Sequence, residues 1–207
     1  MSSPVTLVSM AGTNNLLPDS VVASESKRDE KVVMKPRIDY AKGAPGAVTA
    51  MRGLETYVRQ CGLEGSLLEL VRLRASQING CAYCVDMHTK DARAEGETEQ
   101  RLYAVATWEE TPFFTERERV ALAWTEAVTL IGDGHVPDEI YEQARRSFGE
   151  KELIDLTLAI IVINGWNRLA ISFRTVPGTY QPATKNPLRT GAQDSRAQKR
   201  DGHPADD

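Results

Sequence analysis

Glu69-LVRLRASQING-Cys81-AY-Cys84-VDM-His88 is the stretch on which the reading of the fold turns. Leu67 just ahead of it, with Leu70 and Val71 in its first half, alternates with Arg72 and Arg74, a helical pattern that predicts a helix over 66–78. Asn79-Gly80 stops that helix, because Gly80 can take the left-handed backbone that ends one helix and turns the chain into the next. A second helix begins near Cys81 and stops at Gly96. On it Cys84 lies one turn past Cys81, and His88 lies four residues further, so the three share a face. At about 1.5 Å of rise per residue, Glu69 falls about 15 Å down one arm and His88 about 11 Å down the other. The two arms form an antiparallel hairpin with Glu69 and His88 at similar depth. Glu69 interrupts the apolar run Leu67-Leu68-Glu69-Leu70-Val71 and is expected to point inward, where a buried carboxylate needs a partner.

Outward from the hairpin the pattern stays helical. Pro45 suits a first turn, and Ala47, Met51, Leu54 and Val58 then line one face until Gly62. A helix is expected over 98–109. Thr115-x-x-Glu118 is a capping box that opens another, which runs through Ala121, Trp124 and Val128 to Ile131. Pro137 opens the next, ended by Gly149. The last is a long helix over 151–173, apolar nearly all round at Leu156, Leu158, Ile160, Ile161, Val162 and Ile163, and such a helix is central or sits in a subunit interface. Alternating β-branched runs bounded by turns are missing, so the fold class is all-α. The expected organisation is a flexible arm at 1–36, a helical domain at 37–185 and a disordered tail at 186–207, whose near-absence of apolar residues leaves nothing to offset its ordering entropy.

The 207 residues carry a formal net charge of -4 and a pI near 5.5, against the basic excess of a nucleic-acid binder. Aromatics are only 6%, too few for a single-strand stacking platform. Three Cys do not make a disulfide scaffold, and the default setting is reducing and cytoplasmic. The longest apolar run, Leu156 to Ile163, is far shorter than the roughly 20 residues of a membrane span. The N-terminus lacks a basic start followed by an apolar block, so no secretory signal is expected.

The two sulfurs sit in a first helical turn, where free N–H groups and the helix dipole favour a thiolate. An imidazole one turn on can take the thiol proton, which is what an activated Cys nucleophile needs. A Glu69–His88–Cys proton relay follows. The same residues could instead hold zinc through Cys81, Cys84, His88 and Glu69, but the second Cys/His knuckle of a structural site is missing. A plain pair of core thiols is the remaining alternative. Cys61, on the apolar face with Val58, is expected to be a buried core thiol. Trp108 and Trp124 read as core, and His135 as a loop residue. Trp166-Asn167-Arg168 reads as a helix end, an ion pair or a pocket contribution.

Glu69, Cys81, Cys84 and His88, with RASQINGCAYCVDMHTKDARAEGE around them, FFTERERVALAWTEAVT and INGWNRLA further on, resemble the single-domain alkylhydroperoxidase D-like proteins of the carboxymuconolactone decarboxylase superfamily. The resemblance spans 37–181. It implies an all-α fold, trimeric or hexameric homo-oligomers and thiol-dependent reduction of hydroperoxides. By position it makes Cys84 the attacking thiol, Cys81 the resolving thiol, and His88 with Glu69 the relay. It implies an external dithiol reductant and no organic cofactor or metal. Some members carry His between the two Cys, where this chain has Tyr83. The decarboxylase branch usually lacks the Cys pair, so the pair argues against lactone decarboxylation. Two other readings use the same residues: a non-catalytic redox sensor or partner-binding protein built on the Cys pair, and an acid decarboxylase or isomerase working through Glu69 and His88.

Overall fold

The computed structural model describes residues 34–182. Apart from residues 34–36, the expected N-terminal arm lies outside the described residues, and so does the tail at 186–207. The described residues form α1 (Tyr40–Gly43), α2 (Pro45–Gln60), α3 (Gly65–Ile78), α4 (Ala82–Ala94), α5 (Glu99–Ala104), a 3-10 helix (Val105–Glu110), α6 (Glu116–Thr129), α7 (Asp138–Ser147) and α8 (Glu150–Phe173), with no strand among them. The all-α class is as expected.

Capping explains several starts. Asp39 Oδ1 accepts from the Ala41 and Lys42 amides and opens α1. At α6 the Thr115 hydroxyl accepts from the Glu118 amide while Glu118 reaches back to the Thr115 amide, which closes the expected capping box. The helix expected over 98–109 is broken. Thr107 leaves helical geometry at φ -126°, ψ 33°, and the second half tightens to a 3-10 turn. Arg119 donates to the carbonyls of Trp108, Glu109 and Thr111, and so takes up acceptors that a continuing helix would have used.

The most enclosed helix is α3, not the last one. It packs against α4, α6 and α8, and every residue from Leu67 to Leu73 is buried. Leu67, Leu68 and Val71 join Val58, Ala121, Trp124, Leu156 and Ile160 in one core. Leu70 and Leu73 turn to a second core with Leu102, Val105, Trp108 and Leu122. A third, smaller cluster gathers Ala75, Cys81, Cys84, Ile163 and Ala170 where α3, α4 and α8 meet. Glu69 and Arg72 are also buried on α3, an arrangement possible only because they pair with each other and with neighbours.

The contiguous apolar run of α8 is short, yet the helix has 24 residues and an 18-residue stretch of it reaches a mean hydropathy of 1.4, long and apolar enough to cross a membrane. Its packing gives the composition another cause. Leu156, Ile160 and Ile163 fill the core, while the buried polar groups Asp155 and Asn167 are hydrogen-bonded inside the protein. Its outer face leaves Ile154, Ile161 and Ile171 exposed.

Two residue-level expectations change. Cys61 is half-buried rather than buried, because it caps the C-terminus of α2, where the chain leaves the core. Trp166-Asn167-Arg168 is not a helix end: α8 runs on to Phe173, with Trp166 partly buried, Asn167 fully buried and Arg168 exposed. Trp108 and Trp124 are core, and His135 lies in a loop at φ 61°.

Ile160 tests the placement of α8, because it is fully buried between helices. Ile160→Val is expected to lower unfolding stability by about 0.5–1.5 kcal/mol and Ile160→Ala by about 2–5 kcal/mol. Urea unfolding reads both, and equal small effects would place Ile160 at the surface instead.

Candidate active site

The site begins at the turn between α3 and α4. Gly80 takes φ 67°, the left-handed conformation expected from the sequence, and the Cys81 amide donates to Ser76 O at 2.9 Å. Asn79 locks the turn to α8: its Nδ2 lies 2.9 Å from Ala75 O, Asn164 Oδ1 and Asn167 Oδ1. Asn167 Nδ2 in turn donates to Ser76 Oγ at 3.1 Å. This amide cluster fixes the end of α3 and the start of α4 against one point of α8.

Cys81 is the N-cap of α4, and its Sγ accepts from the Cys84 amide at 3.4 Å. Both sulfurs are buried and free. The Cys81 thiol is lowered from an ordinary 9.0 to about 7, first by the hydrogen bond from the Cys84 thiol, against the effect of burial, and further by the backbone amides of the first turn and Asn167. Cys84 moves the other way. Its S–H is committed to Cys81, and burial and the Cys81 charge hold its proton on. Above a pH of about 7 the reduced pair therefore carries one negative charge, resident on Cys81 and bonded by Cys84.

One turn further along α4, His88 Nδ1 is 2.8 Å from Glu69 Oε2, as the hairpin count anticipated. Arg72 Nη1 donates to Glu69 Oε1 at 2.6 Å, and Arg72 Nη2 to Glu55 Oε1 at 2.9 Å. Arg59 Nε also reaches Glu55 Oε1 at 2.9 Å. The result is a chain of alternating charge, Arg59–Glu55–Arg72–Glu69–His88, running from the surface of α2 into the interior. Burial alone would raise the Glu69 carboxyl, but the hydrogen bond from His88, then the charges of His88 and Arg72, hold it below its ordinary value. With Nδ1 engaged by an ionised carboxylate, Nε2 is the free nitrogen of His88. It is buried and makes no hydrogen bond to the described residues.

The sequence reading missed Arg72, Glu55, Asn79 and Asn167. Arg72 was visible as the i+3 neighbour of Glu69. Asn167 was visible as an amide inside an apolar helix. Glu55 left no local sign, since its contact crosses 17 residues.

A cavity of about 320 Å³ reaches the site, lined by Cys84, His88 and Tyr83 from α4, Glu55 and Arg59 from α2, and Trp166 from α8. Cys81 does not line it. Residues after α8 close one side. Gly178 N donates to Asp86 Oδ2, Lys90 Nζ to Tyr180 O, and the Tyr180 hydroxyl to Asp91 Oδ1, which sets the Tyr180 ring in the cavity wall. A larger groove of about 580 Å³ between α6, α7 and α8 lies away from the sulfurs. Glu69, His88 and Asp91 bring ligand atoms within 4.8 Å of one another. Protein donors already occupy that group: Arg72 and His88 on Glu69, and Tyr180 on Asp91. The arrangement reads as a hydrogen-bonded charge network rather than as the zinc site considered from the sequence, and the sulfurs are not part of it.

Thiolate absorbance against pH tests the shared charge. The first proton is expected to leave with a midpoint near about 7. Cys84→Ala removes the largest lowering contact, so the Cys81 midpoint should rise. Cys81→Ala removes the acceptor and the anion, so the Cys84 midpoint should fall. The lowered Cys81 also adds stability, fully present above its ordinary 9.0 and lost as pH falls through about 7. The raised Cys84 opposes that gain above 9.0. Thermal unfolding midpoints should therefore climb from pH 7 to 9 in the wild type relative to Cys81→Ser. A Cys84→Ala midpoint equal to wild type would remove the coupling.

Known proteins carry the same framework. The model of the Carboxymuconolactone decarboxylase family matches residues 44–127. The uncharacterized protein YdfG of Bacillus subtilis (strain 168) is 43% identical over 139 residues, which is 67% of this chain and 95% of YdfG. A crystal structure of a protein of unknown function from Agrobacterium tumefaciens, put forward as an antioxidant defence protein AhpD, is 45% identical with a TM-score of 0.69 and covers 70% of this chain and 100% of that one. The alkylhydroperoxidase AhpD core of a peroxidase-related protein from Ralstonia eutropha JMP134 shares the fold at a TM-score of 0.61 and 20% identity, over 70% of this chain and 77% of that one. With its hairpin, its buried Glu–His pair and these relatives, the chain belongs to the carboxymuconolactone decarboxylase family, as an AhpD-like protein.

Proposed function

We propose that the protein is a thiol peroxidase that reduces hydroperoxides through a Cys81–Cys84 dithiol/disulfide cycle, with His88 and Glu69 as its proton relay. The observation that carries this reading is a pair of free cysteines in one helical turn with one sulfur, Cys84, in a cavity wall that it shares with an imidazole whose Nε2 makes no hydrogen bond to the described residues. The family and the likeness to an AhpD-type antioxidant protein support it.

In the proposed cycle Cys84 attacks the terminal oxygen of the hydroperoxide, because it lines the cavity and Cys81 does not. As the S–O bond forms and the O–O bond breaks, the Cys84 proton passes to His88 Nε2 or to the Cys81 thiolate and from there to the departing alkoxide, which leaves as alcohol and restores the neutral imidazole or the Cys81 thiolate. Cys84 is now a sulfenic acid. The Cys81 thiolate attacks its sulfur, the S–S bond forms, and hydroxide leaves as water after taking a proton. An external dithiol then reduces the disulfide by exchange and is itself oxidised, which supplies the two electrons the peroxide consumed. A reducing, cytoplasmic setting provides such dithiols, and the helical domain at 37–185 is the catalytic unit.

Peroxide consumption with a panel of dithiol donors tests the cycle. Wild type should turn over hydrogen peroxide or tert-butyl hydroperoxide repeatedly. Cys84→Ser should abolish the reaction, and Cys81→Ser should allow one attack and then stall as a sulfenic acid. His88→Ala should slow attack near neutral pH by about 10²–10⁴-fold, and Glu69→Gln should slow it while keeping shape, with partial rescue of both at higher pH. Oxidation once per chain without turnover would make the pair a sensor. Chemistry on an acid that survives loss of both Cys would move the activity to Glu69 and His88.

We also propose a closed homo-oligomer, trimeric or hexameric. Ile154 lines the groove of about 580 Å³ and is 55% exposed, and Ile161, two turns on along α8, is 51% exposed, an apolar surface suited to a second copy. Light scattering at micromolar concentration should give a multiple of 22.9 kDa, and a 22.9 kDa monomer would sink the assembly.

A further inference from the structure

The reacting cavity does not stop at the sulfurs. A second cavity of about 310 Å³ adjoins it, and Tyr40, Arg52 and Trp166 line both. Away from that shared rim the second chamber is apolar on Ile38, Val48 and Val176. Each chamber sits near the lower bound of small-molecule sites, roughly 300–1,000 Å³.

The charges around the two chambers are matched, with one exception. Glu55 is held by Arg72 and Arg59. Asp39 is held by Lys42 and by its cap on α1. Arg59 is held by Glu55. Arg52 lies one turn before Glu55 on α2, and its guanidinium makes no ion pair or hydrogen bond with the described residues. Among the described residues it is the cation common to both chambers.

We propose that Arg52 is the anion-binding position of an elongated substrate site, and that the substrate class is hydroperoxides whose apolar carbon body carries a carboxylate. The proposal rests on the peroxidase reading for the role of Cys84. The peroxide-bearing carbon faces Cys84, one arm of the carbon body brings the carboxylate to Arg52 at the shared rim, and the apolar remainder passes Trp166 into the second chamber. A planar guanidinium binds a carboxylate through two parallel N–H donors, which fixes orientation as well as charge. The apolar chamber then adds binding in proportion to the surface it covers.

The test uses non-reactive probes first. Calorimetric titration of the full chain with decanoate and with decanol should show wild type favouring the acid by roughly ten-fold or more. Arg52→Gln should erase that preference, and Arg52→Lys should keep part of it. Raising the salt concentration should weaken decanoate binding and leave decanol unchanged. In single turnover, linoleic acid hydroperoxide should oxidise the thiols faster than its methyl ester, and Arg52→Gln should bring the two rates together. Equal binding of acid and alcohol to wild type, no binding of decanoate, or an acid preference retained in Arg52→Gln would each overturn the anion site. The peroxidase reading is judged separately with tert-butyl hydroperoxide, which carries no carboxylate.

Discussion

A carboxylate is buried at Glu69, and the rest of the site is arranged around that constraint. An ionised group out of water is tolerated only with close partners of opposite charge and with its lone pairs satisfied. Glu69 obtains both: Arg72 from its own helix on Oε1 and His88 from α4 on Oε2. Arg72 is itself buried and needs a second anion, which Glu55 supplies from α2. One buried charge thus ties α2, α3 and α4 together in a fixed register. Removing Arg72 alone would strip the buried Glu69 of its guanidinium partner and leave Glu55 without that contact as well, so the network stands or falls as a unit.

The sulfurs obey a different constraint at the other end of the hairpin. Cys81 occupies the N-cap, where a helix lacks partners for its first amides, and a thiolate fills that role as an acceptor. The position of the cap depends on Asn79 and Asn167, whose amides clamp the turn to α8. Asn167 serves twice, since it also favours the charged form of both thiols. Amide hydrogen bonding thereby couples where α8 crosses α3 to how readily the dithiol loses its first proton.

The helices were legible because their signals are local: the Thr115 capping box, Gly80 as a left-handed stop, and the apolar spacing of α2 and α3. The pairing of Glu69 with His88 was legible because rise per residue converts sequence distance from the turn into depth. Contacts between elements distant in the chain were not. Glu55 on Arg72, Asn79 on Asn167 and Tyr180 on Asp91 arise from packing, and no periodicity encodes them. The break at Thr107 escaped because Arg119 takes up the carbonyls from a later helix. The centrality of α3 over α8 escaped because Arg72 and Arg74 make α3 look amphipathic, whereas the pairing of Arg72 with Glu69 lets residues 67–73 go inside together. The division of charge between the thiols also escaped. Helical spacing places both sulfurs in one turn, and only the N-cap geometry singles out Cys81 for the anion.

In the proposed cycle the buried network solves an electrostatic difficulty that a bare dithiol would face. Moving a proton off Cys84 inside the protein creates either a second thiolate or an imidazolium, and each is unfavourable in a dry site when unpaired. Glu69 sits 2.8 Å from His88 Nδ1, so a proton arriving at Nε2 completes an ion pair instead of an isolated charge. Arg72 in turn helps to hold Glu69 ionised, so the partner is ready before the proton comes. The cost of burial has already been met by the folded network, and the proton transfer adds a charge only where its partner is waiting.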